Sequence, residues 1–329
     1  MPKTIKENKH FTQYIISIVF IVFIFGMAVL FLLLPKAKYS SNEKRYLADA
    51  PQVSMQNLAS GQLTKDIEGY LTDHIPFREF YVGANAYYNL YTGRNGSNGV
   101  YSGSDGYLIN DPVEKENNIE RNIKVFADFV NENNIDATLM IVPSTGYVMD
   151  SKLPLLHKNY LDDSLFTVIN NTRGGMKFVD LRESFKKAAA QGTQLYYKTD
   201  HHWTSKGAFL AYNEYCMAKG LQATTQGEYY IEIYDKFYGT TYSTSALWLN
   251  PSENIELWQS VRLGDVSVEI TEDTSTTKSS SMFYKKHLTE DDKYPVFLDG
   301  NHALTIIKNS NAPQDKKLLV IKDSYAHCM

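Results

Sequence analysis

A long apolar run near the N-terminus limits how the rest of this chain can fold. Residues 14–34 read YIISIVFIVFIFGMAVLFLLL and contain no charged side chain. As an α-helix this segment extends about 32 Å, which matches the ~30 Å hydrocarbon core of a bilayer. A cleaved signal peptide has a shorter apolar segment, about 7–15 residues, and a small-x-small cleavage site. Since the run is longer and Pro35-Lys36-Ala37-Lys38-Tyr39 follows it, we expect an uncleaved transmembrane helix.

The flanking charges do not decide the orientation of this helix. Lysines precede it at positions 3, 6 and 9, and Lys36, Lys38, Lys44 and Arg45 follow it, so the positive-inside rule gives no clear answer. We expect a tail over residues 1–13, a membrane anchor over 14–34, a polar juxtamembrane stalk over 35–61 and a folded domain over 62–329.

Composition excludes several classes of protein. The 329 residues carry a net charge of −4, which does not suit a dedicated nucleic-acid-binding protein. Aromatic residues make up 13% of the chain, too many for a disordered protein. The chain contains 2 cysteines, Cys216 and Cys328, which exclude a multi-disulfide scaffold and a four-cysteine zinc site.

Short apolar runs alternate with amphipathic segments from about residue 114 onward. This alternation is typical of an α/β sandwich with a parallel sheet. The expected helices and strands, in chain order, are helix 118–133, strand 137–142, helix 161–171, strand 176–181, helix 182–191, strand 194–197 and helix 204–219. A β-hairpin is expected earlier, around the Gly103-Ser104-Asp105-Gly106 turn.

Residues 223–295 interrupt this alternation. They are rich in Tyr, Thr and Ser and include alternating stretches such as Val266-Ser267-Val268-Glu269-Ile270, which indicate a β-rich insertion. The apolar runs Ala303–Ile307 and Leu318–Ile321 predict a return to the α/β pattern. If a helix begins after the second run, the chain stops five residues after Ser324, within that helix, and we expect the C-terminus to be truncated.

Two segments carry residues suited to catalysis. Asp200-His201-His202-Trp203 lies between an expected strand and an expected helix, where parallel sheets place their ligands. An aspartate can fix the tautomer of a histidine and leave its other ring nitrogen free to act as a base. Ser324 follows an apolar run, and the first N–H groups of a helix beginning there can stabilise an oxyanion. Together these segments contain the members of a Ser-His-Asp triad.

Other interpretations remain open for both segments. A serine after a strand is commonly a helix N-cap. The pair His201-His202 with Asp200 is also a metal-ligand pattern, so a metal-dependent hydrolase is one alternative. A non-catalytic polysaccharide-binding or scaffold subunit is another, which the tyrosine-rich insertion keeps open.

The segment Asp-His-His-Trp at 200–203 resembles the signature of the DHHW family. That family resembles the SGNH-like domains of alginate O-acetyltransferases, in which Asp-x-His-Trp precedes a late Asp-Ser motif. Weaker likenesses extend over most of residues 62–324. They lie at Asp73–Arg78, at Gly103–Ile109, and at Val142-Pro143 with Tyr147 and Leu153-Pro154.

The resemblance implies a three-layer SGNH-hydrolase-like sandwich and an O-acetyltransferase or esterase that needs no cofactor and no metal. It implies Ser324 as nucleophile, His202 as base and Asp200 as the residue that orients it. Lys322 stands where the family motif has glycine. We expect further substrate and oxyanion contacts from the side chains or N–H groups of Gly300, Asn301, Trp203, Tyr147 and His201.

The resemblance also implies the partners and the location. We expect a polysaccharide acceptor, a membrane-bound O-acyltransferase that supplies the acyl group, and no nucleic acid. The protein would then be a single-pass protein of the cell membrane with its catalytic domain outside the cytoplasm.

Overall fold

A computed structural model describes residues 3–113, 118–313 and 315–329, with side chains from Phe11 onward. The chain divides into two compact units, Met1–Asn85 and Ala86–Met329.

The N-terminal unit contains one helix, among the residues described, that is long and apolar enough to cross a membrane. It includes Phe11–Leu33, and none of this segment is buried. The expected apolar helix is therefore present. The elements that begin in this unit are α1 (Lys3–Leu33), β1 (Tyr39–Ser40), β2 (Arg45–Tyr46), α2 (Met55–Ala59), α3 (Gln62–His74) and α4 (Arg78–Asn89).

Ion pairs join the short elements that follow the apolar helix. Arg45 donates to both carboxylate oxygens of Asp73 at 2.9 and 2.6 Å. Arg78 pairs with Glu43 at 2.5 Å and lies 3.6 Å from Asp73. The Arg45 guanidinium holds the pKa of Asp73 at about 2. The Asp73–Arg78 segment thus makes structural ion pairs within its own unit.

The C-terminal unit alternates helices and strands before a β-rich region. Its first half contains β3 (Gly96–Ser97), β4 (Val100–Ser102), β5 (Leu108–Asn110), α5 (Ile119–Glu132), β6 (Thr138–Ile141), α6 (Thr145–Val148), α7 (Asp162–Thr172), β7 (Lys177–Asp180), α8 (Arg182–Ala190) and α9 (Ser205–Ala218). Its second half contains β8 (Tyr229–Phe237), α10 (Thr240–Ser245), β9 (Glu253–Ser260), β10 (Val266–Glu272), β11 (Ser275–Ser279) and β12 (Leu304–Asn309).

The α/β character expected from the sequence is confirmed. Strands β6 and β7 pair in parallel, with Thr138 opposite Lys177 and Ile141 opposite Asp180. The flanking helices begin and end within one or two residues of their predicted bounds. The hairpin around Gly103–Gly106 is present as the antiparallel pair β4 and β5.

Three predicted strands differ from the structure. Residues 194–197 contribute only an isolated bridge between Tyr196 and Trp203. The predicted strand at 303–307 exists as β12, but it pairs antiparallel with β10 and so belongs to the insertion. Residues 318–321 form no strand, and their side chains are 58–83% exposed. An apolar run becomes a strand only where a neighbouring strand supplies hydrogen bonds, and this segment has none in the described chain.

Two hydrophobic clusters border the segment 199–203. The first includes Leu181, Phe185, Tyr196 and Trp203, and Tyr325 packs against it. The second is formed largely by the insertion and includes Phe237, Ile255, Tyr294 and Phe297. Cys328 packs against both clusters, so the C-terminal turn lies where the two meet.

Candidate active site

A tight loop before α9 carries Asp200 and His202. Its ends are tied by backbone hydrogen bonds from Tyr197 N–H to the His202 carbonyl, at 3.2 Å, and from Thr204 N–H to the Leu195 carbonyl, at 2.8 Å. Thr204 then caps α9 by accepting from the Gly207 N–H. The chain therefore enters and leaves this loop at adjacent points, and its polar residues lie between two fixed ends.

The structure brings Asp200, His202 and Ser324 into one hydrogen-bonded chain. His202 Nδ1 lies 2.5 Å from Asp200 Oδ1, and His202 Nε2 lies 2.8 Å from Ser324 Oγ. Because a carboxylate accepts only, Nδ1 carries the proton and Nε2 is left to accept from the serine hydroxyl. Residues 122 positions apart in sequence thus meet in the order carboxylate, imidazole, hydroxyl.

Asp200 is buried, with 1% of its surface exposed, and its hydrogen bonds hold it ionised. Besides the His202 ring, the His202 N–H donates to Oδ1 at 2.9 Å. The N–H and hydroxyl of Thr240 donate to Oδ2 at 2.7 and 3.1 Å. Burial alone would raise the pKa of Asp200, but the hydrogen bond and charge of His202, together with the Thr240 N–H, bring the pKa well below its usual value.

Glu253, the first residue of β9, holds the segment that leads into Asp200. Its Oε1 accepts from the Thr199 N–H and the Thr199 hydroxyl, each at 2.7 Å. Its Oε2 accepts from the Lys198 N–H and from Gln194 Nε2, each at 2.9 Å. Burial raises the pKa of Glu253, which these bonds partly offset. Nothing in the local sequence signals this role of Glu253, because the carboxylate lies more than fifty residues from the loop it supports.

Tyr294 packs flat against the imidazole of His202. The ring centroids are 3.8 Å apart and the planes differ by 10°. The Tyr294 hydroxyl donates to the carbonyl of Ser324 at 3.1 Å. One tyrosine of the insertion therefore contacts both the imidazole and the serine turn. No motif signalled it, since nothing local distinguishes it from the other 23 of the 24 tyrosines in the sequence.

The serine lies on a short turn that packing holds in place. Ser324–Cys328 is a 3₁₀ helix, so a short helical turn does begin after the apolar run 318–321, and Asp323 caps it by accepting from the Tyr325 N–H at 3.0 Å. Trp203 Nε1 donates to the Tyr325 carbonyl at 2.7 Å. Lys322 does not have a positive φ, so the backbone at this position does not require the glycine of the family motif.

The five residues predicted to contact the substrate lie in different environments. Trp203 is 1% exposed and belongs to the core, so its ring offers no surface for the expected substrate contact. The Tyr147 hydroxyl donates to Asp163 at 2.5 Å. The Gly300 N–H donates to the Phe297 carbonyl within a turn, and Asn301 is exposed. His201 alone of these five lies against the imidazole of His202, with ring centroids 3.8 Å apart.

The same loop also meets a distance criterion for a metal site. One ligand atom from each of Asp200, His201 and His202 lies within 4.8 Å of the others. Asp200 already accepts four hydrogen bonds, and His202 Nε2 faces Ser324. A metal ion would have to displace these bonds.

The chain is similar in sequence and fold to known proteins. Residues 102–247 match the family model described as SGNH hydrolase-like domain, acetyltransferase AlgX. PatB1 of Bacillus cereus, in a structure with a sulfonyl adduct, is 22% identical with a TM-score of 0.59, covering 70% of this chain and 80% of PatB1. A DHHW family protein from Eubacterium siraeum is 21% identical with a TM-score of 0.57, covering 70% of this chain and 78% of that protein. A search of curated proteins finds no match.

These findings confirm the family resemblance and the SGNH-like fold. The matched segment contains Asp200, His202 and Thr240, whereas Ser324 lies beyond it. Residues 102–247 of this chain are therefore similar to the SGNH hydrolase-like domain of the acetyltransferase AlgX.

Proposed function

We propose that this chain is a membrane-anchored serine O-acyltransferase that modifies a polysaccharide outside the cytoplasm. The observation that supports this most is the chain Asp200–His202–Ser324, with its contacts of 2.5 and 2.8 Å. The match to an acetyltransferase family supports acetyl as the acyl group. The apolar helix Phe11–Leu33 supports the anchor.

In this proposal the acyl group passes through the serine. Ser324 Oγ attacks the acyl carbonyl while His202 Nε2 takes the hydroxyl proton, and Asp200 stabilises the imidazolium that forms. The Ser324 N–H, at the start of its turn, is positioned to donate to the oxyanion. The leaving group takes the proton from His202, and an acetyl-serine remains. A sugar hydroxyl then attacks the acetyl carbonyl and gives its proton to His202. The bond from that carbonyl to Ser324 Oγ breaks, Oγ takes the proton back from His202, and the sugar leaves as its acetyl ester.

The acyl donor has to come from the membrane side. An anchored acyltransferase outside the cytoplasm needs acetyl groups delivered across the bilayer, and a membrane-bound O-acyltransferase would be the partner that supplies them. We propose this partner from the anchor and the family resemblance together.

The proposal is tested with the full chain in detergent micelles. With 4-nitrophenyl acetate as donor, we expect a burst of 4-nitrophenol and the mass of one acetyl group on the peptide containing Ser324. Ser324→Ala and His202→Ala should abolish both, and Ser151→Ala, at an exposed serine, should abolish neither. A burst that survives Ser324→Ala would refute the triad.

The same preparation discriminates the alternatives. Activity that is lost with a chelator and restored by a divalent metal would favour the metal-dependent hydrolase. Glycan binding without turnover, unchanged in Ser324→Ala and His202→Ala, would favour a non-catalytic subunit. Release of acetate with no acetylated sugar would make the protein an esterase.

A further inference from the structure

We propose that His201 binds the acceptor through a second hydroxyl next to the one that is acetylated, so that the acceptor is a sugar with adjacent hydroxyls. This inference rests on the proposed function, in which His202 takes the proton of the attacking hydroxyl. It assigns His201 a role in choosing the acceptor, separate from forming the acyl-enzyme.

The hydrogen bonds of Thr240 fix the tautomer of His201. Thr240 Oγ1 lies 3.1 Å from Asp200 Oδ2 and 2.5 Å from His201 Nδ1. The Asp200 carboxylate can only accept, so the hydroxyl proton of Thr240 points to it. His201 Nδ1 must therefore donate to Thr240, and its Nε2 carries a lone pair and no proton.

Exposure distinguishes His201 from His202. The His202 side chain is 5% exposed and its Nε2 accepts from Ser324. The His201 side chain is 35% exposed, and its Nε2 has no hydrogen-bond partner within the described part of the chain. Burial lowers the pKa of His201, with an opposing contribution from Asp200. The outer imidazole is thus a neutral acceptor that a ligand can reach.

Because His201 Nε2 can only accept a hydrogen bond, its ligand must supply a donor. A lone pair binds a hydroxyl or amide donor, and it does not bind a carbonyl oxygen or a carboxylate. The two imidazoles are 3.8 Å apart between centroids, so one molecule can reach both. Two neighbouring hydroxyls of one sugar fit this pair: one gives its proton to His202, and the other donates to His201.

The backbone of His201 is held independently of its ring. The Tyr325 hydroxyl donates to the His201 carbonyl, and the neighbouring His202 N–H is bound to Asp200. Replacing the His201 ring therefore leaves the loop connected to the serine turn. This allows a substitution that tests binding without removing the triad.

The test measures how the acetyl-enzyme divides between acceptors. The full chain in detergent, with 4-nitrophenyl acetate as donor, is offered a glucose oligosaccharide or 1-propanol, which has a single hydroxyl. For His201→Phe we expect transfer to the oligosaccharide to fall about 3- to 10-fold, the equivalent of one hydrogen bond. The ratio of acetylated oligosaccharide to acetylated 1-propanol should fall by about the same factor, because a change in the burst alone affects both acceptors equally. His201→Gln, which keeps an acceptor oxygen, should recover part of the loss, and His157→Phe serves as control.

The outcomes separate this inference from the proposed function. A burst that persists in Ser324→Ala refutes the function itself. If Ser324→Ala abolishes the burst but His201→Phe transfers acetyl groups to the oligosaccharide and to 1-propanol in the same ratio as the wild type, the inference about His201 is wrong. It is also wrong if the wild type shows no preference for the oligosaccharide over 1-propanol, or if His201→Phe lowers burst and transfer equally with an unchanged unfolding temperature.

Discussion

Replacing Glu253 by Gln should damage the site without touching any member of the triad. The carboxylate accepts four hydrogen bonds, two at each oxygen, from Gln194, Lys198 and Thr199. Glutamine has one oxygen, so one pair of donors would face its NH₂ group. Hydrogen bonds to a charged acceptor contribute about 1.5–3 kcal/mol each. Since Glu253 is only partly buried, we take the lower end and expect a loss of about 3 kcal/mol in the free energy of unfolding.

The effect on activity follows from the position of Thr199, which is bonded to Glu253 and directly precedes Asp200. A displacement of about 1 Å at a catalytic group can cost on the order of 100-fold in rate. We expect the burst rate with 4-nitrophenyl acetate to fall by 10- to 100-fold, and urea unfolding of the full chain to show the loss of stability.

Glu256→Gln is the matched control for this prediction. Glu256 lies on the same strand and pairs with Lys206 at 2.6 Å, with the lysine 39% exposed. Such pairs contribute under about 1 kcal/mol. Among the described residues the Glu256 carboxylate bonds to Lys206 and Trp258 and to none of residues 198–200. Equal stability and equal burst rates in Glu253→Gln and Glu256→Gln would refute the reasoning that Glu253 positions Asp200.

Two further substitutions test the packing around the triad. A Cβ on Gly239 would lie 2.1 Å from Asp200 Cβ, so Gly239→Ala should lower the free energy of unfolding by about 1–3 kcal/mol and reduce the burst. Gly227→Ala is the control, because the nearest atom to its new Cβ would be Thr225 Oγ1 at 4.0 Å, and it should do neither. Equal behaviour of the two variants in urea unfolding would contradict this. His327 is buried, and neither of its ring nitrogens has a hydrogen-bond partner among the described residues, so His327→Phe should raise stability at neutral pH by about 1–3 kcal/mol. Burial lowers the pKa of His327 from 6.5 to about 4. As the pH falls from 6.5 towards 4, the unfolded chain therefore binds a proton at this residue before the folded chain does, and the wild type loses stability. Parallel curves of stability against pH for the wild type and His327→Phe would show that His327 is not the cause.

The three residues of the proposed triad could be named from the sequence because their signals are local. Asp200 and His202 are two positions apart in a loop that precedes a helix, and Ser324 follows an apolar run. The alternation of strands and helices predicted β6, β7 and the helices beside them to within one or two residues. Each of these inferences needs only neighbouring residues and the regular periods of helix and strand.

The residues that complete the site could not be predicted in this way. Thr240, Glu253 and Tyr294 are ordinary residues in their local sequence, and they reach the triad only because the insertion folds back onto the loop. The wrong predictions have a related origin. The run 318–321 looks like a strand by composition, but pairing decides whether a strand forms, and pairing is a property of distant residues.

The β-rich insertion therefore forms part of the site, although the sequence first suggested an addition to the fold. Thr240 supplies two hydrogen bonds to Asp200, and Tyr294 covers the His202 ring and binds the Ser324 carbonyl. A buried carboxylate such as Asp200 stays ionised only when enough donors face it. Thr240 provides two of the four hydrogen bonds that Asp200 accepts. A chain that kept the motif and lost the insertion would leave the buried Asp200 carboxylate with half of its hydrogen bonds. We therefore expect the motif Asp-His-His-Trp to act in the proposed triad only where the insertion supplies these contacts.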